Sequence, residues 1–133
     1  MLGVEIEESQ ALAPDKSGTL VMDDGCSYGL STWIDMLRLR DARVLGHYGS
    51  GWYRHKPAVT VSQRGPGRAY YVGTAPDRAF YAGFVSAVTR QAGVQPVLAA
   101  PRAVHAFRRT DGSRDVIFLT NPSAEPQLVD LPV

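Results

Sequence analysis

The chain has 133 residues, 44% of them hydrophobic and 20% charged, with a formal net charge of +1. These are the values of an ordinary globular protein, and the charge is too balanced for a nucleic-acid binder. The single cysteine, Cys26, leaves no disulfide framework and no cysteine-rich metal centre, and no segment approaches the roughly 20 apolar residues that span a bilayer.

Residues 1–18 alternate briefly at Val4 and Ile6 and then turn polar through Pro14-Asp15-Lys16-Ser17-Gly18. They read as a linker or extended segment. The stretch Met1 to Glu8 has no basic start and no long apolar run, so no signal peptide is expected. With one cysteine and no leader, the expected location is cytoplasmic. Thr19–Met22 is a short strand candidate, stopped by Asp23-Asp24-Gly25. Ser31 or Thr32 is placed to cap a short helix reaching Leu39, with Asp35 in a capping-box position and Trp33, Ile34, Met36 and Leu37 on its buried side.

Arg43–Tyr48 reads as a strand, and Gly49-Ser50-Gly51 opens an aromatic loop, Trp52-Tyr53-Arg54-His55-Lys56. Two alternating runs, Ala58–Val61 and Ala69–Val72, flank Gly65-Pro66-Gly67 and predict a β-hairpin over 57–73. Thr74 is expected to cap the helix that follows, with Pro76 in its first turn. That helix, over 77–92, carries Phe80, Phe84, Val88 and Ala92 on one face, widened by Tyr81 and Val85, and Gly93 ends it. Pro96 and Pro101 mark a module boundary. Beyond it, 104–108, 116–120 and 127–131 are three short strands of a small antiparallel meander, joined by turns at 110–113 and 121–123.

Little in this order carries chemistry. His47, His55 and His105 lack metal-ligand spacing, and Asp23-Asp24 beside Gly25 is a solvated turn rather than an acid pair. Arg64 and Arg68 flank Gly65-Pro66-Gly67, but a run joining two strands is a hairpin tip and not a phosphate loop. Nothing supplies two carboxylates at the separation glycoside hydrolysis needs. No catalytic residue, metal site or cofactor is expected. The candidate contact residues are Trp52, Tyr53 and His55, either at an interface, where aromatic side chains anchor partners, or against a sugar ring. The charge distribution is uneven: Glu5, Glu7, Glu8, Asp15, Asp23, Asp24 and Asp35 dominate the first segment, and arginines dominate from Arg38 onward. Acidic and basic faces that meet within the fold or across subunits explain this most simply.

Leu-Arg-Leu-Arg-Asp-Ala-Arg-Val-Leu-Gly-His-Tyr (37–48), Trp-Tyr-Arg-His-Lys-Pro-Ala-Val-Thr (52–60), Gly-Pro-Gly-Arg-Ala-Tyr-Tyr-Val-Gly-Thr (65–74), Phe-Arg-Arg-Thr-Asp-Gly (107–112) and Ile-Phe-Leu-Thr-Asn-Pro-Ser-Ala-Glu-Pro (117–126) follow one another in an order that resembles the C-terminal portion of family-42 glycoside hydrolases, the bacterial β-galactosidases. The resemblance implies an α+β chain: residues 19–96 would be the later part of an amidotransferase-like α/β trimerisation domain, and 97–133 a small antiparallel β domain. It also implies that the catalytic glutamates lie in a (β/α)8 barrel with no counterpart in these residues. The expected role is scaffolding: self-association, or packing against a catalytic barrel, with a galactoside contact at Trp52 as the rival reading and neither nucleic acid nor membrane as partner. If part of a larger sheet is missing, an open sheet edge should remain.

Overall fold

The structure, a computed structural model, describes residues 2–131. The class is α+β: nine strands, every ladder antiparallel, and one helix among the described residues. The chain divides into two compact units, 1–86 and 87–133, with the boundary inside the helix.

In the first unit the strands are β1 (Val4–Ala11), β2 (Gly18–Met22), β3 (Ser27–Leu39), β4 (Arg43–Tyr48), β5 (Pro57–Arg64), β6 (Gly67–Val72) and β7 (Thr74–Pro76). β3 pairs with β2, β2 with β4, β4 with β5, and β5 with β6. β6 runs through Gly73 into β7, which pairs back onto β3. The sheet therefore closes on itself, the arrangement that removes free edges from a small β structure. Gly73 makes the closing bonds: its N–H donates to Ala58 C=O at 2.8 Å, and its C=O accepts from Asp35 N–H at 2.7 Å. A Cβ on Gly73 would lie 3.3 Å from both Ala58 O and the Tyr48 hydroxyl and 3.4 Å from Asp35 Cβ, which leaves almost no room for a side chain.

Leu20, Leu30, Ile34, Met36, Tyr48, Tyr53, Ala58, Val59 and Phe80 fill the interior. Phe80 comes from α1 (Arg78–Gln91). Its ring stacks on Phe84 at 5.0 Å and meets Tyr28 edge-on at 5.4 Å, while Phe84 meets Tyr70 at 5.6 Å. Tyr81 and Val85, assigned to the same stripe from the sequence, are exposed. The helix cap is Asp77 and not Thr74: Asp77 Oδ1 accepts from Phe80 N–H at 3.0 Å, and Asp77 Oδ2 from Gly29 N–H at 2.9 Å. Thr74 and Pro76 are spent on β7, so Pro76 precedes the helix. At the far end Gly93 N–H bonds Arg90 C=O and Val94 N–H bonds Thr89 C=O, the paired closure expected around a C-terminal glycine.

Residues 31–39 are not a helix but the centre of β3. Ile34 to Leu37 are buried consecutively because this strand is covered on both faces, and Trp33, Ile34, Met36 and Leu37 without alternation read equally as the buried side of a helix. Thr32 adopts φ 72° at the bulge between the two halves of the β3–β7 pairing, which a helix cap would not. Of residues 1–18, read as a linker or extended segment, residues 4–11 are extended: they are β1, paired along the second half of β3 from Val4↔Leu39 to Ala11↔Trp33. β1 lies outside the closed ring at one end of the sheet, and β6, paired only with β5, is the other end, so the open edge expected of a partial sheet remains at these two strands. A register shift between Ile6 and Glu8 and three glutamates along β1 oppose further pairing there.

The second unit has one two-stranded sheet, β8 (His105–Thr110) with β9 (Asp115–Thr120), in regular register from His105↔Thr120 to Thr110↔Asp115. The third strand expected over 127–131 is not formed. Asn121 Nδ2, Ser123 Oγ and Gln127 Nε2 all donate to Glu125 C=O and curl the chain there, and Pro122 and Pro126 lack the N–H a ladder needs. None of the described residues 87–131 is buried.

The closure at Gly73 predicts that Gly73→Ala destabilises the first unit by about 1–3 kcal/mol, since overpacking of this kind costs that much. An exposed glycine of ordinary φ, Gly67, is the control: the nearest atom to its added Cβ is Arg64 O at 3.6 Å, an ordinary contact. Urea midpoints followed by tryptophan fluorescence read the difference, and the seam would be dispensable if Gly73→Ala left the midpoint unmoved.

Candidate functional site

The loop between β4 and β5 holds the three contact candidates, and it is built tightly. Tyr48 N–H bonds Lys56 C=O at 3.0 Å and His55 N–H bonds Tyr48 C=O at 2.8 Å, so the loop closes on its own stem. Gly49 N–H bonds Thr19 C=O at 2.6 Å, and Thr19 N–H bonds Ser50 Oγ at 2.9 Å, which ties the loop to β2. Gly51 sits at φ 77° with the Tyr53 ring 2.7 Å from where its Cβ would be, so that position requires glycine for both conformation and space. His55 adopts φ 68°, the turn-out that lets the loop re-enter β5.

This geometry separates the trio. Tyr53 is 5% exposed, with its ring edge-on to Tyr48 at 5.0 Å, and belongs to the core. Trp52 is 65% exposed and rests edge-on against Tyr53 at 5.7 Å. His55 and its neighbours Arg54 and Lys56 face solvent. Only Trp52 and His55 remain available for contact, with Tyr53 as the buttress beneath. Adjacency in sequence suggested one cluster, but of residues 52–56 Tyr53 turns inward and the others face solvent.

A polar cluster that the sequence reading missed lies at the seam. Asp35, 6% exposed, accepts from Ser9 Oγ at 2.5 Å on one carboxylate oxygen and from the Tyr71 hydroxyl at 2.7 Å on the other. It thereby joins β1, β3 and β6. The Tyr48 hydroxyl donates to Gly73 C=O at 2.7 Å and lies 3.1 Å from Asp35 N–H. Burial, reinforced by the bond to Asp35 and its charge, pushes Tyr71 up to about 12. Burial also pushes Tyr48 well above the ordinary tyrosine range. The cluster is a cross-strand clamp: both phenols stay protonated, and the one carboxylate has no second acid beside it.

The uneven charge resolves within the fold. Arg38 pairs with Glu7, Arg40 with Glu5 at 2.5 Å, and Arg64 with Asp41 through two bonds of 2.7 and 2.9 Å. Acids two apart on β1 thus pair diagonally with bases two apart at the end of β3 and just past it, a cross-strand pattern of opposite charges. The Arg64 guanidinium holds the Asp41 carboxyl below its usual range. An open depression of about 450 Å³ is lined by Gly3, Val4, Arg40, Asp41 and Arg64, and both of its arginines are already engaged with carboxylates. Among the described residues no group of three or more metal-binding side chains converges, and no helix is long and apolar enough to cross a membrane.

Tyr53→Ala is expected to cost about 3–5 kcal/mol, as for other large core truncations, while Trp52→Ala changes stability by less than about 0.5 kcal/mol. Equal losses in the two variants, measured by urea unfolding, would mean that Trp52 is packed as firmly as Tyr53. The tyrosines set a second expectation. A phenol whose folded value is raised gives stability that is complete below its unfolded value and is lost as pH rises toward the folded one. Stability should therefore fall between about pH 10 and pH 12, and Tyr71→Phe should flatten that fall. An unchanged pH profile in Tyr71→Phe would contradict the assignment.

Comparison with known proteins matches residues 1–95 to the β-galactosidase trimerisation domain. The β-galactosidase BgaP of Planococcus sp. (strain L4) is 31% identical over 98% of this chain and 20% of its own length. The β-galactosidase LacZ of Heyndrickxia coagulans is 34% identical over 98% of this chain and 19% of its own. Among solved structures, the β-galactosidase from Bacillus circulans sp. alkalophilus superposes with a TM-score of 0.85 at 29% identity, covering 97% of this chain and 20% of that one. The cold-adapted β-galactosidase from Rahnella sp. R3 does so with 0.82 at 33% identity, covering 99% and 21%. The chain spans about one fifth of the length of these relatives. With the trimerisation-domain match covering more than half of its residues, the chain belongs to the β-galactosidase trimerisation-domain family of the family-42 glycoside hydrolases.

Proposed function

We propose that these residues are the non-catalytic association portion of a β-galactosidase-like glycoside hydrolase, cytoplasmic and active on β-galactosides in carbohydrate metabolism. The observation that carries this reading is the trimerisation-domain match over residues 1–95. It is supported by what the first unit contains: a closed sheet whose buried carboxylate, Asp35, is held by the Ser9 and Tyr71 hydroxyls. Its chemistry is that of a rigid support. The partners we infer are further copies of the chain and a catalytic barrel. The second unit favours such partners, because apolar side chains stand exposed on both sides of its hairpin: Phe107, Val116 and Phe118 on one, Ile117 and Leu119 on the other. Exposed apolar surface of that extent marks an interaction site in a soluble protein, and a two-stranded hairpin alone is marginally stable in water.

We place the module boundary near residue 96, where the family match ends, with 97–133 as the small β domain. Residues 1–18 go with 19–96, since β1 is hydrogen-bonded to β3.

A second reading, a free-standing carbohydrate-binding or interaction module, rests on Trp52, an exposed indole on a loop fixed at both ends. Sedimentation velocity across a wide concentration range separates the two. The association reading predicts species heavier than a monomer whose share grows with concentration, and no hydrolysis of a chromogenic galactoside by the chain alone. A single monomeric species at every concentration would sink it. For the second reading, titration with galactose or lactose should move the Trp52 indole resonance in an NMR spectrum, and Trp52→Ala should abolish sugar binding. No movement at millimolar sugar removes that reading.

A further inference from the structure

We draw no further inference here: the strongest candidate, the β8–β9 hairpin with exposed apolar side chains on both of its faces, is an unpartnered surface, and nothing in the structure shows what covers it.

Discussion

The first unit depends on one glycine. Gly73 lies where β6 hands over to β7, and its two main-chain groups join β5 to β3. Without that junction the sheet would be an open ribbon ending at β6, with the donors and acceptors of β3 that face β7 left unpaired, each costly when buried. A side chain at the seam would force its neighbours to shift, because Ala58 O, Tyr48 Oη and Asp35 Cβ already crowd the position. The same requirement explains a buried acid. Asp35 sits in the centre of an apolar strand, where an unpartnered carboxylate is expensive, and it is retained with two hydroxyl donors, one from each flanking strand. Seam and clamp are neighbours on β3, so the closure and the attachment of β1 stand or fall together.

Once the ring is closed, association through open sheet edges loses most of its force. Of the edges that remain, β6 and β1, β1 carries a bulge and glutamates, devices that keep strands from adding to it. Two of those glutamates are held by Arg38 of β3 and by Arg40 just beyond its end, and exposed pairs of this kind contribute little stability. Their value lies in register: a one-residue slip would put Glu5 and Glu7 on the opposite face from Arg38 and Arg40. The second unit is the reverse case. It has a regular hairpin and, among its described residues, no buried one, so its strands are specified locally while their apolar side chains lack a core. A self-sufficient support followed by a segment that needs a neighbour is consistent with one fifth of a larger enzyme.

What was legible in the sequence follows from what is local. The hairpin over 57–72 was readable because alternation and a Gly-Pro-Gly turn specify it without help from elsewhere, and α1 because Phe80, Phe84 and Val88 repeat at helical spacing. The strands Arg43–Tyr48 and Thr19–Met22 had clear stops. β3 was misread because burial on both faces erases the alternation that marks a strand, and because Asp35 three residues after Thr32 mimics a capping box. The pairing of β1 was not legible because the strand is exposed along almost its whole length, so beyond Val4 and Ile6 its side chains carry no apolar period. Its real signal was electrostatic: acids at 5 and 7 answering bases at 38 and 40. Residues 127–131 had the composition of a strand and no partner to pair with. At the contact loop, the aromatic content was visible and the orientation was not, since which of Trp52 and Tyr53 turns inward is decided by Gly51 and the loop's bonds to β2.

The most direct measurement is native-state hydrogen exchange resolved by residue. The amides of Asp35 and Gly73 should exchange only through unfolding of the whole first unit, and those of 105–120 in the isolated chain should exchange far faster. Protection at the hairpin equal to that at the seam, or early loss of protection at Asp35 and Gly73, would contradict a structure that rests on the closed ring and carries a hairpin without a core.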